Sequence, residues 1–151
     1  MAESEAPTPS PRMILEEVRI IFENRPGGDI VYPLTSPEEI EKAAKSPYIL
    51  KEGCHYKIRV TFRVQHDIIS GLTSQTSTFR KGLRVAKDQQ MLGSFAPQSK
   101  LHEVTFPRHG WEEAPSGMLS RGSYTSRHKF ADDDSVVHAE WEMAFDIKSE
   151  W

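Results

Sequence analysis

The stretch from Val137 to Ile147 alternates between apolar and polar residues almost without interruption. Successive side chains of a β-strand point to opposite faces of a sheet, so this period of two predicts a long strand with one buried face and one solvated face. The apolar face carries Val137, Ala139, Trp141, Met143, Phe145 and Ile147. The polar face carries His138, Glu140, Glu142 and Asp146. A chain with such a strand needs a second layer to cover its apolar face.

A second stretch, from Tyr56 to Val64, has the same period, with Lys, Arg and Thr between its apolar residues. Shorter strand candidates lie at 18–22, 30–34, 74–85, 91–95 and 101–106, with Gly82 as an expected bulge. Residues 107–115 are expected to form a loop, and an acidic turn joins the last two strands. Many short strands beside a single helical segment predict an antiparallel β-sandwich.

The one helix is predicted from its start signal. Ser36 is the expected N-cap, Pro37 takes the first helical position, and Glu39 lies where a capping box needs a carboxylate. The Ser46-Pro47 dipeptide ends the helix after about two turns.

Composition limits the class of protein. The 151 residues carry a net charge of −3 without a basic stripe, which does not favour nucleic acid. Cys54 is the single cysteine, so no internal disulfide forms. The first residues resemble no signal peptide, and no apolar run has the length of a membrane span. We expect a disordered tail over 1–12, one domain over 13–151 and a cytoplasmic location.

Residues for catalysis or metal binding form no recognisable motif. The sequence has no nucleophile elbow and no phosphate-binding loop, and its six histidines lack metal-ligand spacing. We therefore expect no enzyme, no metal and no cofactor.

Six blocks carry a resemblance to a known family: LKEGCHYKIRVTFRV (50–64), ISG (69–71), FRKGLRV (79–85), MLGSF (91–95), EEAPSGMLSRGSY (112–124) and FADDDSVVHAEWEMAFDIKSEW (130–151). In this order they resemble the immunoglobulin-like domain of the Rho GDP-dissociation inhibitors. The resemblance implies an immunoglobulin-like antiparallel β-sandwich with one short helix. It also implies a carrier that holds the geranylgeranyl tail of Rho-family GTPases between its sheets and keeps them in solution.

The resemblance further implies which side chains meet the isoprenoid and the GTPase. The positions that match the prenyl slot are Ile20, Tyr48, Ile68, Leu119, Trp141 and Met143. The positions that match the GTPase-contacting acids are Asp132, Asp133, Asp134, Glu112 and Glu113, with Asp88 beside them. Met143 and Gln90 stand where the family has aromatic residues, which alters the expected width of the slot.

Ordinary core packing is the alternative for each slot position, and a solvated turn is the alternative for the acids. The family's helical N-terminal arm has little counterpart here, so we expect weak inhibition of nucleotide release. The expected partner is a prenylated Rho-family GTPase, which a monomer extracts transiently from a membrane without inserting into that membrane. A lipid chaperone of the phosphodiesterase delta type, with other lipidated clients, and a sandwich whose slot is packed shut are the competing hypotheses.

Overall fold

The computed structural model describes residues 11–151 as two packed β-sheets with one helix. The strands are β1 Met13–Phe22, β2 Ile30–Pro33, β3 Tyr48–Lys51, β4 His55–Val64, β5 Ile69–Arg80, β6 Leu83–Phe95, β7 His102–Phe106, β8 Glu112–Glu113, β9 Gly122–Ala131 and β10 Val137–Lys148. The helix is α1 Pro37–Ala44, and Met118–Ser120 form one 3₁₀ turn. The predicted all-β sandwich with one short helix is confirmed. The expected tail lies outside the described residues except for Pro11 and Arg12.

Each sheet has five strands. Sheet I has the order β2-β1-β4-β7, with β8 also beside β4, and sheet II has the order β3-β10-β9-β5-β6. Neighbouring strands are antiparallel except for β3, which runs parallel to β10. The sandwich is therefore antiparallel, as predicted, apart from this one edge strand.

Aromatic side chains fill the centre of the sandwich. Phe62 of sheet I meets Phe130 of sheet II with 6.2 Å between ring centroids, and both side chains are fully buried. Trp141 packs edge-on against Phe130 at 5.1 Å. Burying a phenylalanine side chain stabilises a fold by roughly 2–3 kcal/mol, so this cluster holds the two sheets together at their middle.

The alternation of β10 is confirmed from Trp141 onward, where every second side chain to Ile147 is buried. It is wrong at the start of the strand. The pairing with β9 shifts by one residue between Val137 and Ala139. As a result Val137 is exposed, while the His138 side chain is buried 2.7 Å from Asp132.

The predicted single strand over 74–85 is wrong, because a hairpin turn interrupts it. β5 ends at Arg80, and β6 begins at Leu83 and continues through the expected short strand 91–95. Lys81 and Gly82 adopt φ of +51° and +80°, the left-handed pair of a type I′ two-residue turn. Gly82 is therefore a turn residue and not a bulge.

The helix forms as its capping residues predict. The Glu39 amide donates to Ser36 Oγ at 3.1 Å, and Pro37 lies in the first turn. The Glu39 carboxylate accepts a hydrogen bond from the Thr35 amide at 2.8 Å, whereas a capping box would use the amide of the N-cap residue, Ser36. Three further elements differ from the predictions: β1 begins at Met13 instead of Val18, β3 was not predicted, and β8 lies within residues 107–115, which were expected to form a loop.

Candidate functional site

The sheets part at the end that β6 and β8 border, and leave an open cleft. Two adjoining cavities of about 390 Å³ each lie there. Both are lined by Tyr56, Thr78, Ala86 and Glu112, so they form one continuous space, here termed the intersheet cleft. Ligand pockets have volumes of roughly 300–1,000 Å³, so this space has the size of a small-molecule site.

The cleft exists because the inward positions of β5 and β6 change from large to small residues along the hairpin. Leu72 and Leu92 are buried at the far end of the hairpin. Toward the turn, the inward positions that line the cleft carry Thr76, Thr78 and Ala86, and also the polar Asp88 and Gln90. The threonines and the alanine are too short to reach the opposite sheet across the usual sheet separation of about 10 Å, and the space beside them stays open.

The two cavities differ in their linings. The outer cavity contains Ile58 and Asp88 in its lining. The other, deeper cavity has a largely apolar wall from three strands of sheet II. Leu50 of β3, Tyr124 of β9, and Phe145 and Ile147 of β10 line it. Tyr124 and Phe145 stack with 5.1 Å between their centroids and nearly parallel planes. A rigid aromatic wall beside aliphatic side chains suits a flexible hydrocarbon ligand.

Three of the predicted slot residues lie directly behind this lining. Ile20 of β1 is fully buried and pairs with Ile58, which lines the outer cavity. Tyr48 is buried and stacks on Phe145 at 5.6 Å. Met143 is buried on β10, two residues before Phe145 on the same inward face.

The other three predicted slot residues lie elsewhere. Trp141 is enclosed by His128, stacked at 5.1 Å, and by Phe130, and its buried indole N–H has no acceptor among the described residues. Ile68 is exposed just before β5 begins. Leu119 is exposed on the 3₁₀ turn, and its backbone carbonyl accepts a hydrogen bond from Arg80, the last residue of β5. A twelve-residue strand spans about 40 Å, so Ile68 and Leu119 do not line one pocket.

Behind the cleft wall, the buried side chain of His128 forms hydrogen bonds with two hydroxyl groups. His128 Nδ1 lies 3.4 Å from Thr76 Oγ1, and its Nε2 lies 2.9 Å from Ser126 Oγ. Burial lowers the pKa of His128 to about 4. The imidazole is therefore neutral near pH 7 and serves the fold as a hydrogen-bonding core residue.

The three aspartates of the acidic turn have different surroundings. The Asp132 side chain is buried and accepts hydrogen bonds from His138 and from the Asp134 and Val136 amides. Burial acts to raise the pKa of Asp132, but these hydrogen bonds outweigh it and hold the pKa below its usual range. Asp133 and Asp134 are exposed, and carboxylate oxygens of all three lie within 4.8 Å of one another. Only the latter two are accessible to a partner.

Glutamates of β8 form one rim of the cleft. Glu112 lies in the lining with Asp88 of β6, which accepts a hydrogen bond from Gln90 at 3.1 Å. Burial, reinforced by the charge of Asp88, raises the pKa of Glu112. Glu113 lies 3.1 Å from His55, whose other ring nitrogen lies 3.0 Å from Glu23. This acidic rim attracts cations.

Sequence reasoning missed most of the small cleft residues. Thr76, Thr78 and Ala86 carry no apolar signal, and the interpretation of 74–85 as one strand hid the partner strand. Tyr56 and Phe145 did stand at inward positions of clear alternation. A separate groove of about 530 Å³, here termed the outer groove, lies on the outer face of sheet II and is lined mostly by charged and polar side chains, so it does not suit an apolar ligand.

Within residues 11–151, the structure contains no helix with the length and apolar character of a membrane span.

Comparison with known proteins gives the family. The family model for RHO protein GDP dissociation inhibitors matches residues 2–150. The chain is 53% identical over 147 residues to "Putative rho GDP-dissociation inhibitor 1" of Dictyostelium discoideum, covering 97% of this chain and 74% of that protein. It is 38% identical over 141 residues to Rho GDP-dissociation inhibitor 1 of Rattus norvegicus, covering 93% of this chain and 66% of that protein. The chain is also 43% identical over 112 residues to the Rho GDP-dissociation inhibitor of Schizosaccharomyces pombe, covering 74% and 53% of the two chains. This chain belongs to the Rho GDP-dissociation inhibitor family.

Proposed function

We propose that residues 13–151 form one domain that regulates a Rho-family GTPase by holding its isoprenoid tail in the intersheet cleft. The observation that carries this proposal is the cleft itself, an open space between the sheets with an aromatic and aliphatic inner wall. Family membership supports the class of partner. In this role the protein acts as a monomeric binding protein and not as an enzyme.

The energetics of the cleft favour such a ligand. Each methylene removed from water contributes about 0.8 kcal/mol, so enclosing a geranylgeranyl group contributes on the order of 10 kcal/mol before ordering costs. A bilayer offers the same tail a similar apolar environment. Net extraction from a membrane therefore depends on protein–protein contacts in addition to the cleft.

The acidic rim supplies one such contact. Glu112 and Asp88 come from different sheets and face the same opening. A basic segment next to the lipidated cysteine of a client would lie along this rim once the lipid is inserted. Glu113 would extend the same contact, although it is already paired with His55.

Asp133 and Asp134 supply a second contact surface. Both carboxylates are exposed, and an arginine of the GTPase would bind them through charge-assisted hydrogen bonds. Asp132 would act indirectly, because its buried hydrogen bonds fix the shape of the turn. We further propose that the chain slows nucleotide release only weakly, since an exposed carboxylate–arginine pair contributes little affinity.

The test is a pair of phenylalanine substitutions on one strand. Thr78→Phe fills the cleft, whereas Ser77→Phe places the same ring in the outer groove. Binding is measured by fluorescence anisotropy with a labelled geranylgeranylated basic peptide and with its unprenylated form. We expect binding of the prenylated peptide only, a loss of about tenfold or more for Thr78→Phe, and little change for Ser77→Phe.

Two results would contradict the proposal. One is equal binding of the prenylated and unprenylated peptides. The other is an unchanged affinity of Thr78→Phe in a variant whose circular dichroism and thermal transition match those of the unmodified protein. A carrier with other lipidated clients would instead bind a myristoylated peptide without basic residues as tightly as the prenylated one.

A further inference from the structure

The outer end of the intersheet cleft carries an unusual group of exposed aliphatic side chains. Leu83 and Val85, at the start of β6, are 73% and 54% exposed. Met118 and Leu119, on the 3₁₀ turn, are 80% and 89% exposed. Large apolar side chains gathered at one place on a surface mark an interaction site.

Arg80 joins these two segments into one surface. Its guanidinium donates to the backbone carbonyls of Leu119 and Arg121 and to the Tyr124 hydroxyl. Arg80 also pairs with Leu83 across the hairpin. The hairpin residues 80–87 and the turn residues 118–120 are here termed the rim patch.

The rim patch is basic as well as apolar. Residues 80–87 contain Arg80, Lys81, Arg84 and Lys87 and no acidic residue. Within the described part of the chain, none of these four cations forms an ion pair with a carboxylate. Among the nearby acids, Asp88 follows the patch on β6 and lines the intersheet cleft with Glu112. Arg84 and Lys87 instead line the outer groove, which they share with Glu140 and Glu142 without an ion pair.

We propose that the rim patch docks on the surface of an anionic lipid bilayer. The aliphatic side chains enter the boundary between headgroups and acyl chains, and the cations bind the lipid phosphates and carboxylates. Val85 both lines the cleft and belongs to the patch, so docking places the mouth of the cleft against the membrane. This inference rests on the proposed function, because docking gives an isoprenoid a path from the bilayer into the cleft that avoids water.

Charge argues for a bilayer over a second copy of this chain. Two rim patches placed face to face would bring eight uncompensated cations together, which opposes self-association. An anionic headgroup layer compensates the same charges and accepts the exposed aliphatic groups.

The experiment is sedimentation of the protein with phosphatidylcholine vesicles that contain or lack phosphatidylserine, without any prenylated ligand. We expect binding only to vesicles with phosphatidylserine, weakened by salt. The charge variant Lys81→Glu with Arg84→Glu and the apolar variant Leu83→Ser with Leu119→Ser should each lose about tenfold or more in partition. Met91→Ser is the matched control, because Met91 is an exposed aliphatic residue of β6 far from the turn, and it should partition normally.

Three results would overturn the inference: no binding by the unmodified protein, unchanged partition of either double variant, or a dimer in sedimentation velocity that the apolar variant dissociates. Uptake of a soluble geranylgeranylated peptide by the same variants separates this inference from the proposed function. Vesicle binding without peptide uptake would retain the rim patch and reject the cleft as an isoprenoid site, and the reverse result would reject the rim patch alone.

Discussion

At the scale of single residues, burial separates side chains that the sequence presents as equivalent. Asp132, Asp133 and Asp134 are one acidic run in the sequence, but only Asp132 is enclosed and hydrogen-bonded by its own turn. His128 and His138 both occupy strands, and only the former has hydroxyl partners in the core. These differences predict different responses to substitution.

Asp132→Asn should destabilise the fold by about 2 kcal/mol, because the amide replaces a carboxylate that accepts from His138 and two backbone amides. The matched control is Asp134→Asn, an exposed change in the same turn that should cost about 0.5 kcal/mol or less. Urea unfolding at pH 7 measures both values. Equal stability of the two variants would contradict the structural role of Asp132.

His128 should make the fold sensitive to mild acid. Its pKa is about 4 in the folded protein because of burial, and about 6.5 in the unfolded chain. The unfolded state therefore binds the proton first, and the contribution of His128 to stability is full above pH 6.5 and is lost as pH falls toward 4. The loss for this group reaches about 3 kcal/mol.

The difference in unfolding free energy between the unmodified protein and His128→Asn, followed by urea unfolding from pH 7 to pH 4, isolates this contribution. The unmodified protein should lose more stability than the variant over this range. Parallel pH profiles would show that the imidazole is not held neutral by burial.

At the scale of elements, the sequence predicts those strands and helix ends whose signals are local. The helix follows from Ser36, Pro37 and Glu39, and the core half of β10 follows from its alternation. The β5–β6 hairpin was missed because the Lys81-Gly82 turn interrupts a run of strand-forming residues without Asn, Asp or Pro. β3 has four residues, three of them apolar in succession, which gives no alternation, and the two residues of β8 are too few for any periodic signal.

The hairpin turn gives a prediction at this scale. Gly82→Ala should destabilise the fold by about 1 kcal/mol, since the added methyl group is strained at φ +80° even though open space surrounds it. Lys81→Gly relieves the left-handed strain at φ +51° and should cost little or stabilise slightly. Thermal unfolding of the two variants checks the order, and a more stable Gly82→Ala variant would contradict a type I′ turn.

At the scale of the whole molecule, the sandwich is closed at its centre and open at one end. Phe62, Phe130 and Trp141 bind the sheets together, while Thr78 and Ala86 leave them apart. The family resemblance implied a space between the sheets, lined by Ile20, Tyr48, Ile68, Leu119, Trp141 and Met143, whereas the cleft lies beside Thr78 and Ala86. The position of this space depends on which inward positions of both sheets carry small residues. Finding those positions requires the pairing register of strands that are distant in sequence.

The most direct measurement of the central idea is a methyl-resolved NMR titration of the protein with geranylgeranyl-cysteine. Intermolecular contacts should appear at the methyl groups of Ile58, Thr78 and Ala86, which line the intersheet cleft, and not at Met91 on the outer face. Contacts confined to outer-face methyl groups, or no saturable contact at any cleft methyl group, would contradict an isoprenoid held between the sheets.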